Sequence, residues 1–156
     1  MIGKNKLVSD LLNQVTDPEI PVLSLFDLGV IRDIKVSDEE IKVTITPTYS
    51  GCPAMEMMQQ DIIEVLTEEG RKVGLPTNII VITQLSPAWT TDWITEKGKK
   101  ALFDYGIMPP SKKGIIICPQ CNSKEVELIS QFGSTACKAL YRCINCLEPF
   151  DYFKCH

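Results

Sequence analysis

Histidine is nearly missing from this 156-residue chain, and its one copy is the last residue, His156. The body of the chain therefore has no imidazole to act as base for a cysteine or serine nucleophile, which argues against an enzyme built on that chemistry. No apolar run approaches the roughly 18 to 20 residues that a membrane span needs. The opening MIGKNKLVSD lacks the apolar core and small-residue cleavage site of a secretory leader, so a cytoplasmic location is expected. Internal repeats and low-complexity tracts are absent, apart from one duplicated CxxC.

What is present describes an ordinary folded chain, 44% apolar and 23% charged. Charge is unevenly placed: residues 1–111 carry 10 basic and 16 acidic side chains, while residues 112–156 carry 6 and 4. A basic tail would suit nucleic acid. However, Lys112, Lys113, Lys124, Lys138, Arg142 and Lys154 are interspersed with Glu125, Glu127, Glu148 and Asp151, and a zinc ion held by four thiolates adds a charge of about −2. Neither nucleic acid nor a membrane is expected as a partner.

Leu7, Val8, Leu11, Leu12 and Val15 follow helical spacing and stop before Thr16-Asp17-Pro18. Val30–Val36 and the alternating Ile41–Thr46 predict a hairpin around Ser37–Glu40 with one buried face. Pro53 opens a second helix whose apolar stripe is Met55, Met58, Ile62, Val65 and Leu66. Asn78–Leu85 reads as a buried strand, parallel to its predecessor because a helix joins them. Thr91–Phe103 reads as a last helix; Trp89 and Trp93, four apart, would share a face if their segment is helical. The Pro- and Lys-containing stretch Gly106–Gly114 marks a boundary, giving domains 1–108 and 112–156. The fold class is α+β: a small mixed three-stranded sheet with helices, then a β zinc ribbon.

Seven cysteines cluster toward the C-terminus, which in a reducing compartment indicates metal or thiol chemistry before disulfides. CPQC and CINC place Cys118, Cys121, Cys143 and Cys146 as two pairs, each aiming two sulfurs at one ion. A closed tetrahedral zinc site is the expectation, with rubredoxin-like iron or an iron–sulfur cluster as alternatives because thiolates alone do not select the metal. So short a ribbon should fold only with its metal. Cys137 is expected to be a small buried strand residue, and Cys155 with His156 simply ends the chain.

Cys52 stands where a strand passes into a helix, and the positive helix end would favour its thiolate for metal binding or attack; a buried helix-start cysteine is the plainer reading. Asp17 and Glu19 could bind a hard cation, cap a helix or shape a turn. The aromatic run Phe150–Phe153 is expected to offer a client-binding surface.

Three blocks, TDPEIPVLSLFDLGVI, TPTYSGCPAMEMM and LSPAWTTDWITEKGKKAL, together resemble the SufT-like metal–sulfur cluster assembly family, whose pattern is met at Asp17, Pro18, Glu19, Leu28, Gly29, Cys52 and Pro53. The tail from CPQC to the end resembles the C-terminal ribbon of the PaaD family, associated with bacterial phenylacetyl-CoA epoxidase. These resemblances imply a non-enzymatic helper of a multicomponent oxygenase. Its implied partners are the oxygenase and reductase subunits, and its role is to assist iron or iron–sulfur maturation. Cys52 would be the iron or cluster handler, Asp17 and Glu19 its supports, and the four ribbon cysteines the zinc ligands. A scaffold role without metal transfer is the competing reading, and a homodimer is left open.

Overall fold

The protein's computed structural model describes residues 3–18, 20–48, 55–111, 114–133 and 138–154. Contacts divide the chain into two compact units, Met1–Trp89 and Thr90–His156.

In the first unit, α1 (Lys4–Leu12) buries Val8 and Leu12, one turn apart. A one-turn helix not anticipated from periodicity, α2 (Leu25–Leu28), follows. Ser24 Oγ accepts the Asp27 N–H at 3.1 Å, and Gly29, with φ of 85°, closes the turn. The expected hairpin consists of β1 (Ile31–Val36) and β2 (Glu40–Ile45), paired antiparallel. Ser37 Oγ shapes its turn by accepting the N–H groups of Glu39 and Glu40. Along β2 the pleat sends Ile41, Val43 and Ile45 into the core, where none retains exposed surface.

The long helix α3 (Met55–Lys72) buries Met58, Ile62, Leu66 and Gly70 at four-residue spacing. Leu75 packs where a side chain at Gly70 would sit: a Cβ there would lie 3.3 Å from Leu75 Cβ. β3 (Asn78–Thr83) then runs parallel to β2, so the sheet order β1-β2-β3 is mixed, as anticipated. The expectation of a buried strand fails, because β3 lies at the sheet edge and none of its residues is fully buried. A short apolar run reports β structure but not how many neighbours a strand will have.

The second unit begins with a break where one helix was predicted. Thr91–Trp93 forms a 3-10 turn, Ile94 is extended, and α4 spans Glu96–Tyr105. Two threonines cause the interruption by hydrogen bonding to backbone N–H groups ahead of them. Thr90 Oγ1 accepts from Asp92 at 3.1 Å and Thr95 Oγ1 from Gly98 at 3.0 Å, so each starts a helical segment instead of continuing one. Trp89 and Trp93 consequently share no helix face. Trp89 is buried in the first unit, its indole N–H donating to the Leu28 carbonyl at 2.9 Å, whereas Trp93 is only partly buried in the 3-10 turn.

After α4, β4 (Ile107–Met108), β5 (Val126–Ser130), β6 (Lys138–Cys143) and β7 (Pro149–Phe153) form a sheet of order β4-β7-β6-β5. β4 is parallel to β7, and the other pairs are antiparallel. Its small core combines Met108, Phe150 and Tyr152 with the cysteines Cys118 and Cys143. Tyr141 stacks on Phe150 and meets Tyr152 edge-on, with centroids 6.1 and 5.7 Å away. The aromatic run expected to face a client is therefore interior: Phe150, Tyr152 and Phe153 are buried because β7 lies between β6 and β4. Among the described residues no helix is long and apolar enough to cross a membrane.

Candidate metal centre

The two CxxC segments fold as near copies of one another. In the first, the Cys118 carbonyl accepts the Asn122 N–H at 2.8 Å and the Cys118 N–H donates to Ser123 O at 2.9 Å. In the second, the Cys143 carbonyl accepts from Leu147 at 3.0 Å and the Cys143 N–H donates to Glu148 O at 3.0 Å. Each turn closes through a left-handed residue, Asn122 at φ 63° and Leu147 at φ 65°. Asparagine tolerates that conformation and leucine does not favour it. The first sulfur of each pair also receives a backbone N–H, from two residues on in one turn and three in the other: Gln120 N–H points at Cys118 Sγ and Cys146 N–H at Cys143 Sγ, both at 3.4 Å. At Cys143 this donor stabilises negative charge on the sulfur.

The four sulfurs converge. All lie within 4.8 Å of one another, with Cys118–Cys146 at 3.6 Å and Cys121–Cys143 at 3.5 Å. Such separations are too long for disulfides, whose S–S bond is about 2.05 Å. They approach the spacing of roughly 3.8 Å that four sulfurs adopt around a tetrahedral zinc with Zn–S bonds of about 2.3 Å. Cys118 and Cys143 are buried in the aromatic core, and Cys121 and Cys146 face outward. An ion held here would tie both turns to that core, with every tetrahedral position taken by the chain and none left for substrate.

The cluster is electrostatically uneven. The Cys143 thiol is pushed down to about 6, chiefly by the Cys146 N–H it accepts. Cys146 receives the Glu148 N–H, but burial and the neighbouring thiols outweigh it and push the group up to about 12. Cys121, despite a hydrogen bond from the Ser123 backbone, is also raised, through Cys143 and burial. A thiol must lose its proton to ligate, so metal binding weakens as pH falls. Cys143 is already ionised above about pH 6 and releases a proton on binding only below that value. A plot of log zinc affinity against pH, measured by competition with a chromophoric chelator, should therefore steepen by about one proton below pH 6. An unchanged slope would contradict the depressed Cys143.

The other predicted residues are less converged. Asp17 is buried, and its Oδ1 accepts the Ile20 N–H at 3.1 Å, which is the turn-forming role among its expected options. Glu19 and Cys52 lie outside the described residues, as do Cys137, Cys155 and His156. One residue escaped the sequence reading. Thr46, directly after β2 and six positions before Cys52, is 1% exposed, and its hydroxyl has no hydrogen-bond partner among the described residues. A threonine ending the alternating run resembles ordinary strand composition, so only burial distinguishes it. Leaving a hydroxyl buried and unpaired costs about 1–3 kcal/mol. Thr46→Val is accordingly expected to hold or raise stability by up to about 1 kcal/mol, read from the urea midpoint. A clear loss of stability would mean that the hydroxyl is paired in solution.

Comparison with known proteins matches both parts of the chain. Residues 5–74 match the model of the iron-sulfur cluster assembly protein family, and residues 108–154 that of the PaaD zinc beta ribbon domain. The chain is 49% identical over 152 residues to an Escherichia coli (strain K12) protein named as the D component of a "Putative 1,2-phenylacetyl-CoA epoxidase", covering 93% of this chain and 89% of that one. It is 31% identical over 100 residues to an Fe-S protein maturation auxiliary factor of Porphyromonas gingivalis, covering 63% of this chain and 87% of the relative. Among solved structures, a domain of unknown function, DUF59, from Bacillus anthracis aligns with a TM-score of 0.57 at 27% identity, covering 64% of this chain and 90% of that one. With an assembly-type domain followed by a four-cysteine ribbon, and near-full-length similarity to an epoxidase D component, the chain belongs to the PaaD family.

Proposed function

We propose that this protein is a non-enzymatic accessory factor of phenylacetate catabolism that assists iron or iron–sulfur maturation of the multicomponent phenylacetyl-CoA epoxidase. In this reading Cys118, Cys121, Cys143 and Cys146 hold a structural zinc, and metal handling falls to Cys52 with Asp17 and Glu19 in support. The observation that carries it is the division of labour among thiols. The four ribbon sulfurs form one closed set, which gives a shape but no open coordination position. Chemistry must then come from the assembly-type domain, where Cys52 is the sole cysteine before the ribbon. The buried Thr46 hydroxyl, directly after β2 and without a partner among the described residues, is in keeping with a polar site at that end of the sheet.

Reconstitution tests the assignment. Iron and sulfide are supplied with the wild-type protein or Cys52→Ala, and activation of the client oxygenase is followed. Wild-type protein should activate, and the variant should fall to the level seen without any factor. Equal activation by both would remove Cys52 from the mechanism. A constant equimolar presence of the chain in active oxygenase, needed for turnover after maturation is complete, would favour the scaffold role.

A further inference from the structure

Among the described residues, the four sheet edges are not equally protected against pairing with another strand. Exposed strand edges invite addition, and proteins blunt them with charge, bulges, proline or shortness. β1 carries exposed Arg32, Asp33 and Lys35 and a register irregularity between Ile31 and Asp33. β5 carries exposed Glu127 and an irregularity between Leu128 and Ser130. β4 has only two residues.

β3 has none of these devices. Its register with β2 is one-to-one over all six residues, without a bulge, and Asn78–Thr83 contains no proline and no charge. Absence of charge extends well beyond the strand: no Asp, Glu, Lys or Arg occurs from Val73 through Thr91, although charged residues make up 23% of the chain. Among the described residues, the only strand bonded to β3 is β2. Apolar surface continues around the edge. Ile82 is 39% and Leu85 64% exposed. On α3, Gln59 bonds Thr83 Oγ1 at 3.0 Å, and Ile63, one turn further along that side of the helix, is 40% exposed.

We propose that β3 is a strand-addition edge at which two copies of this chain pair antiparallel about a two-fold axis, joining two three-stranded sheets into one of six. Charge identifies the occupant. Residues 1–111 carry a net −6, so two copies repel over most of this surface and least at the uncharged edge. A strand that is itself uncharged and apolar, as β3 is, joins there without placing like charges opposite one another. With Val81 opposite Val81, Ile80 opposite Ile82 and Ile79 opposite Thr83, no like charges face each other, and about six backbone hydrogen bonds form. An isologous contact of this kind closes on itself, and the outer edges of the joined sheet are then the two β1 strands, with their charged residues and register irregularity.

Sedimentation equilibrium of the full-length, zinc-loaded protein should show a concentration-dependent dimer. Ile82→Lys, at a partly exposed position that tolerates the change, should weaken it at least about tenfold. Hydrogen exchange on the wild type supplies a readout independent of the variant's folding: amides of Asn78–Thr83 should gain protection as concentration rises. A monomer at every concentration would overturn the proposal, as would a dimer indifferent to Ile82→Lys with no change in β3 protection. A monomer that instead binds the epoxidase through this edge, and loses that binding with Ile82→Lys, would replace the second copy by a client strand.

Discussion

Replacing Cys143 with alanine is expected to abolish metal retention and unfold the ribbon. Its sulfur is buried in the core beside Phe150 and Tyr152, and it lies 3.5 Å from Cys121 Sγ, so the change removes a ligand and opens a cavity at once. Structural zinc contributes about 10–16 kcal/mol to small zinc-dependent folds, comparable to or above the roughly 5–15 kcal/mol that separates a whole domain from its unfolded state. Few other interactions could offset that loss here, because the cluster joining β6 to the first CxxC turn is the aromatic core itself. Atomic emission should find about one zinc per wild-type chain and essentially none in the variant. Amide protection in β5, β6 and β7 should disappear with it. Ile144→Ala, on the same turn but half exposed, should keep both. Full zinc content and a protected ribbon in Cys143→Ala would refute the four-thiolate site, and iron in place of zinc would change the metal but not the geometry.

The second large effect is expected at Phe153. Truncation to alanine should cost about 3–5 kcal/mol, the range for a buried aromatic ring, because only 1% of this side chain is exposed. Phe132 is the informative contrast: it is 67% exposed and lies under the Lys154 ammonium, 4.6 Å from the ring centroid. Its replacement by alanine should cost at most about 1 kcal/mol. Denaturant midpoints measured on the zinc-loaded protein separate the two. Similar small shifts for both would mean that β7 is more accessible than the structure shows, and would return the aromatic run to the role of a client surface.

Much of the fold is legible in the residues because a buried face imposes a period on the sequence. Ile41, Val43 and Ile45 alternate, and all three are interior; Met58, Ile62 and Leu66 recur at helical spacing and share one stripe. The candidate metal centre was equally visible, since the CxxC spacing is a local constraint that a turn can satisfy without help from distant residues. What escaped were properties that periodicity does not carry. The predicted helix over Thr91–Phe103 breaks because Thr90 and Thr95 cap; their side chains compete with helix continuation in a way that apolar spacing does not register. The burial of Thr46 depends on its surroundings, which composition does not describe.

By itself, then, the sequence determined most helices and strands of the first unit and which four thiols belong together, whereas contacts divide the chain at Trp89/Thr90 and not in the Gly106–Gly114 stretch. Only the tertiary structure decided which strands became edges. Asn78–Thr83 and Pro149–Phe153 are both short, largely apolar segments, yet among the described residues β3 has one neighbouring strand while β7 has two and became core. The physical reason is that a strand's own residues set its pleat and propensity, but its burial is set by the strands that hydrogen bond to its two sides, and those are assigned by the path of the rest of the chain.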